Sequence, residues 1–124
     1  MSKKVFIIEH PRNNIDVSKA KDFGQIVYLF DKDDRRCSAW DHKKFGRTVL
    51  GRLKELDYNP EEDYICIVGA VLIMINSIIA IAQSHETFTV LLFNSIEDTY
   101  IPKTFRKGSD NVTKRNESKV YPFD

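Results

Sequence analysis

The side chains and turns from which chemistry can be built stand at Glu9 and His10, at Asp31 and Asp33, at Gly69, and at Asn94 and Ser95. Each group follows directly on an apolar run. Hard cations need oxygen ligands, so Glu9 beside the Asp31-Lys32-Asp33 triplet is the arrangement that can hold a magnesium ion for phosphoryl transfer. Gly69-Ala70 can turn a strand into a helix and offer backbone N–H groups to an anion. Both features also have plainer readings, as acidic side chains in a solvated loop and as a glycine that only permits a tight turn. The phosphate-loop fingerprints Gly-x-Gly-x-x-Gly and Gly-Lys-Ser/Thr do not occur in the chain. No residue is assigned a catalytic or metal-binding role, and no cofactor is expected unless the magnesium reading holds.

The remaining reactive side chains are scattered. His10, His42 and His85 share no metal-ligand spacing with each other or with Cys37 and Cys66. Cys66 sits inside an apolar run and reads as a small core residue, whereas Cys37 reads as a surface thiol in a charged loop. Trp40, next to the Asp41 cap, is expected to act as a hydrophobic staple.

The elements that must position these residues follow from hydrophobic patterning. Tyr64 to Val68 and Thr87 to Phe93 are almost wholly apolar, as strands buried on both faces are, and the segment between them is too long for a hairpin. That predicts a parallel βαβ unit whose helix runs from Ala70 to Ser84. Lys4 to Glu9 and Gln25 to Phe30 read as two further strands. A short helix between them has Asp16 or Ser18 as cap and Gly24 as a left-handed stop. Asp41 caps a helix running to about Leu56, with Phe45, Val49, Leu53 and Leu56 as its apolar stripe and Lys43, Lys44, Arg47 and Lys54 facing mostly elsewhere. Asn94 to Asp98 is a turn, and Thr99 to Phe105 returns as an antiparallel edge strand in which Pro102 is tolerated. The expected fold class is α/β: a small three-layer α/β/α sandwich on a mostly parallel four-stranded sheet, with an antiparallel strand added at one edge. In such sheets ligands gather beyond the carboxyl ends of the strands, where Glu9, His10, Asp31, Asp33, Gly69, Asn94 and Ser95 all fall.

The helix at 70–84 is apolar nearly all round. Leu72, Ile75, Ile79 and Ala82 form one face, Met74, Ile78 and Ile81 another, and Asn76, Ala80, Gln83 and Ser84 a narrow polar seam. A helix packed on one side of a sheet shows a broader wet face. The second apolar surface suggests burial against another helix or another subunit, and Met74, Ile78 and Ile81 are the side chains expected at a subunit interface. The eighteen uncharged residues from Ile65 to Ala82 also meet the lower limit for a membrane span. Gly69, Asn76 and Ser77 interrupt them, and a strand, turn and helix account better for Gly69.

At 124 residues with 42% hydrophobic content the chain has material for one core and one domain, residues 1–106. A formal charge of +1 provides no overall field toward nucleic acid or membrane. From Lys103 onward six basic residues stand against three acidic ones, so residues 107–124 read as a basic polar tail. It ends in Val120-Tyr121-Pro122-Phe123, whose Tyr121 and Phe123 can dock on the body or on a partner. The N-terminal apolar run is too short for a secretory signal, which leads to the expectation of a reduced, cytoplasmic protein.

Two resemblances bear on these readings. Val5-Phe6-Ile7-Ile8-Glu9, followed by Val27-Tyr28-Leu29-Phe30-Asp31-Lys32-Asp33, resembles toprim nucleotidyl-transfer domains, which implies magnesium-dependent chemistry. The chain departs from that pattern, with His10 where the usual glycine stands and no room between the motifs for the intervening strand and helix. Phe23-Gly24-Gln25-Ile26-Val27-Tyr28-Leu29, Glu62 to Gly69, Val90 to Phe93 and Tyr100-Ile101-Pro102 together resemble a group of short uncharacterised bacteriophage proteins over roughly residues 4 to 105. Its matching positions are mostly strand cores and turns. The resemblance implies a non-catalytic accessory role through protein–protein contact, as an oligomer or with a host or viral partner, in the host cell cytoplasm. The alternative is a Rossmann-like domain that binds a nucleotide or phosphate ligand. Neither nucleic acid nor membrane is expected as a partner.

Overall fold

The computed structural model describes residues 3–10, 16–31 and 38–107. Five strands form one sheet in the order β2-β1-β3-β4-β5, where β1 is Lys4–Glu9, β2 Gln25–Phe30, β3 Tyr64–Cys66, β4 Thr87–Asn94 and β5 Thr99–Arg106. The first four run parallel and β5 is antiparallel to β4. The fold is thus the expected small α/β sandwich, its sheet mixed through the added edge strand. The apolar stretch considered as a membrane span divides into β3, a turn and a fourteen-residue helix, α2, over Val71–Ser84. Among the described residues no helix is long and apolar enough to cross a membrane.

Alternation along the strands assigns the two faces. Phe6 and Ile8 of β1, Ile65 of β3, and Phe88 and Val90 of β4 pack beneath α2 and the other long helix, α1 (His42–Glu55). Val5 and Ile7, Cys66 and Leu91 point the other way, toward Ala20 and Phe23 around a short 3-10 helix at Ser18–Asp22. Among the described residues the third layer is this short 3-10 helix, tied across the sheet by an ion pair from Lys19 to Asp98 in the β4–β5 turn. Burial beneath this layer pushes the Cys66 thiol up to about 11, with the hydrogen-bonded Tyr100 hydroxyl working the other way.

Several local devices set the element ends. The Asp41 carboxylate accepts the Lys44 N–H and starts α1. At the other end Tyr58 N–H reaches Leu53 O and Asp57 N–H reaches Lys54 O, while Asp57 takes a left-handed φ of 60°. That paired pattern is a Schellman stop. Asp63 is buried, and its two carboxylate oxygens accept Lys4 N–H at 3.0 Å and Asn59 N–H at 2.8 Å, clipping the start of β1 to the loop before β3. Leu91 C=O accepts Ile67 N–H and so points toward β3. Its partner Pro102 accordingly faces away from β4, where a missing N–H costs no ladder bond.

Two expectations are corrected. Gly24 does not take a left-handed φ; a Cβ there would lie 2.5 Å from Lys3 O, so it permits close approach of the chain entering β2 to the start of β1. Trp40 is 83% exposed and staples nothing, because Ala39 is the residue held down, by Asn76 Nδ2 donating to its carbonyl at 2.6 Å.

Candidate functional site

The sheet order decides where a crevice can open. The chain leaves β1 toward β2 on one side and then crosses back to β3 on the other, so β1 and β3 flank the point where the winding reverses. Glu9 and His10 end β1 there, and Gly69, with φ at 119°, turns the chain after β3 into α2. Ala70 occupies the N-cap of α2 and its side chain supplies no acceptor for the first turn. The His10 imidazole stacks on Tyr28 of β2, with ring centroids 3.7 Å apart and planes 13° from parallel. Asp31 follows β2 at the same edge of the sheet, exposed. Asn94 lies at the end of β4, where its side-chain oxygen accepts Ile96 and Glu97 N–H, a turn-forming role, and Ser95 lies on the exposed turn itself. Asp33 lies outside the described residues, as do Cys37, Tyr121 and Phe123. Among the described residues no group of three or more His, Cys, Asp or Glu side chains can hold a metal ion.

A second feature lies on the α1/α2 face. Two packed helices are about 10 Å apart and strands about 4.8 Å, so a two-helix layer covers roughly four strands of five. Here α1 packs over β2 and α2 over β1 and β4, so among the described residues the same face of β5 is left largely uncovered. Ile101, Lys103 and Phe105 of β5 lie opposite Leu92, Val90 and Phe88 on that face. The result is an apolar groove of about 360 Å3 lined by Ile67, Met74, Ile75, Ile78, Ile79, Val90, Leu92 and Phe105. Ile75 and Ile79 are each 50% exposed, Leu92 42% and Phe105 45%. Phe105 is held by stacking on Phe88, ring centroids 5.6 Å apart.

Of the side chains expected at an interface, Ile81 is fully buried and Met74 nearly so, both within the core, while Met74 and Ile78 also line the groove. The open ridge is formed by Ile75 and Ile79, with Val71 above them. The polar seam marked the wet side of α2 only at its end, where Gln83 and Ser84 are exposed. Asn76 and Ala80 are buried against α1, where a Cβ on Gly46 would sit 3.3 Å from Ala80 Cβ. Small residues there let the helices approach closely, and that rotation turns Ile75 and Ile79 outward. The alternation of Ile101, Lys103 and Phe105 with Tyr100, Pro102 and Thr104 was the available signal that one face of β5 is apolar.

Fold and grooves together define a small α/β protein with a mixed five-stranded sheet and, among the described residues, an uncovered apolar face. The family model described as Phage Pam3 gp32-like protein matches residues 3–107, and the chain belongs to that family. The match runs from the start of β1 to just past the end of β5 and leaves out residues 108–124. No curated protein and no solved structure matches the chain significantly.

Proposed function

We propose that the chain is a phage accessory protein that acts by protein–protein contact rather than catalysis, through the groove between α2 and β4–β5. The observation that supports this reading is the contiguity of Ile75, Ile79, Leu92 and Phe105, all about half exposed, around a channel lined only by apolar side chains. Grouped apolar side chains of this kind mark contact surfaces, whereas single exposed ones are ordinary. The partner is a protein, a second copy or another chain. The test compares the tagged wild-type chain with Ile79→Glu and Phe105→Ser in pull-downs from phage-infected cells, with light scattering on each purified chain. A protein retained by the wild type and lost by both variants supports the reading, as does self-association that both variants dissolve. Identical captures and monomers throughout would refute it.

A second reading places a nucleotide or phosphate ligand at the crevice between the ends of β1 and β3. It is favoured by the α2 N-terminus behind Gly69, where the N-cap residue Ala70 offers no side-chain acceptor. Glu9 and Asp31 are its carboxylates for magnesium. A thermal-shift screen of nucleotides with and without magnesium tests it, since a bound ligand raises the melting temperature by mass action. Loss of the shift in Asp31→Asn supports it, and a flat screen removes it.

A further inference from the structure

The geometry points to an acidic, apolar-faced protein segment as the occupant of the α2 face, an inference that rests on the docking reading above and adds the partner's chemistry. Ile79 lines two channels at once, and together with Ile75 it forms a ridge between them. On the β5 side the channel is apolar throughout. On the α1 side lies a second groove of about 360 Å3, lined by His42, Lys43, Gly46, Arg47, Leu50, Asn76, Ile79, Ala80 and Gln83. Among the described residues no carboxylate lines either channel. Cations stand on both flanks, Lys43 and Arg47 on α1 and Lys103 on β5, whose ammonium lies 5.9 Å from the Phe105 ring centroid. α2 carries no charge, and α1 carries five basic side chains against the single acid Glu55. An apolar floor bracketed by positive charge is complementary to a segment with apolar side chains on one face and Asp or Glu beside them.

The same charges argue against the other occupants. A second copy related by a two-fold axis presents the same patch to itself, setting Lys43, Arg47 and Lys103 near their own kind. A single-stranded nucleic acid needs aromatic platforms between the cations, and here the floor is isoleucine and leucine with Phe105 alone. A bilayer would take up the Ile75 and Ile79 ridge but leave Met74, Ile78 and Val90, at the bottom of a channel, without contact.

The experiment pans a display library of random peptides about 15 residues long, enough to run the length of α2, on the full chain, with Ile79→Glu as counter-selection. Circular dichroism confirms that each variant is folded. Enriched peptides are expected to carry net negative charge with apolar residues at regular spacing. Their affinity should fall about tenfold on the double change Lys43→Glu and Arg47→Glu, and should weaken with added salt. Enrichment of neutral or basic peptides, or affinities that the charge reversal leaves within about twofold, overturns this inference while the docking reading stands. So does self-association dissolved by Ile79→Glu, which makes the occupant a second copy. Enrichment only on a chain ended after Lys107 does the same, assigning the groove to the chain's own C-terminal segment. Binding to phosphatidylglycerol vesicles or single-stranded RNA without any peptide enrichment overturns both readings.

Discussion

Replacing Asp63 tests the clip that positions β1, an interior strand of the sheet and one wall of the crevice. Its carboxylate accepts two backbone N–H groups, from Lys4 at 3.0 Å and from Asn59 at 2.8 Å, and the residue is 4% exposed. Hydrogen bonds to a charged acceptor contribute about 1.5–3 kcal/mol each. Both amides are only partly buried, so water recovers some of that in the variant. Asp63→Ala is therefore expected to cost about 3 kcal/mol, a large share of the stability of an ordinary domain. At about 4 °C per kcal/mol the melting temperature falls by roughly 12 °C. Asp63→Asn keeps the shape but must turn its NH2 toward one of two donors, which costs about 2 kcal/mol. Urea unfolding gives the free energies. Amide hydrogen exchange adds the local readout, because Lys4 and Asn59 should lose protection beyond what the global change accounts for. A loss below about 1 kcal/mol in Asp63→Ala, or unchanged exchange at those two amides, would refute the assignment of Asp63 as the clip.

Other predictions concern single positions. Gly24→Ala places a Cβ against the Lys3 carbonyl and should destabilise by about 2–3 kcal/mol. Gly51→Ala, on the exposed side of α1 with nothing within 4 Å of a Cβ, should stabilise by about 0.5–1 kcal/mol; equal effects in urea titrations would contradict the contrast. The Tyr58 hydroxyl is buried without a hydrogen-bond partner among the described residues, and burial, then the Asp63 charge, raises its pKa above the ordinary tyrosine value. Tyr58→Phe should thus be neutral or stabilising, and a loss above about 1 kcal/mol would show that the hydroxyl is satisfied in solution. Burial holds His85 below its ordinary value of 6.5, so as pH falls the unfolded chain takes the proton first. Unfolding free energy should decline as pH drops below that value and level off below the folded-state value; His85→Gln should flatten the profile.

The elements were legible in the sequence because their causes are local. β1, β2 and β4 carry apolar side chains on both faces, Asp41 caps α1 with its own side chain, and Pro102 marks a strand that could only lie at an edge. Glu9, His10, Asp31, Gly69, Asn94 and Ser95 follow the ends of parallel strands and so share one end of the sheet whatever the details. Whether they form a site was not legible, because chemistry needs distances between elements far apart in the chain. Asn94 turned out to serve its own turn, and His10 to rest on Tyr28.

The rotation of α2 was decided by tertiary packing alone. Its composition is apolar on nearly every side, so no periodicity could say which side stays open. The answer came from Gly46 and Ala80, which bring α1 and α2 close and draw Asn76 inward, and from a helical layer one strand too narrow for its sheet. Side-chain chemistry along the chain therefore determined which segments bury themselves. The spacing between packed layers determined which apolar side chains were left over for a partner.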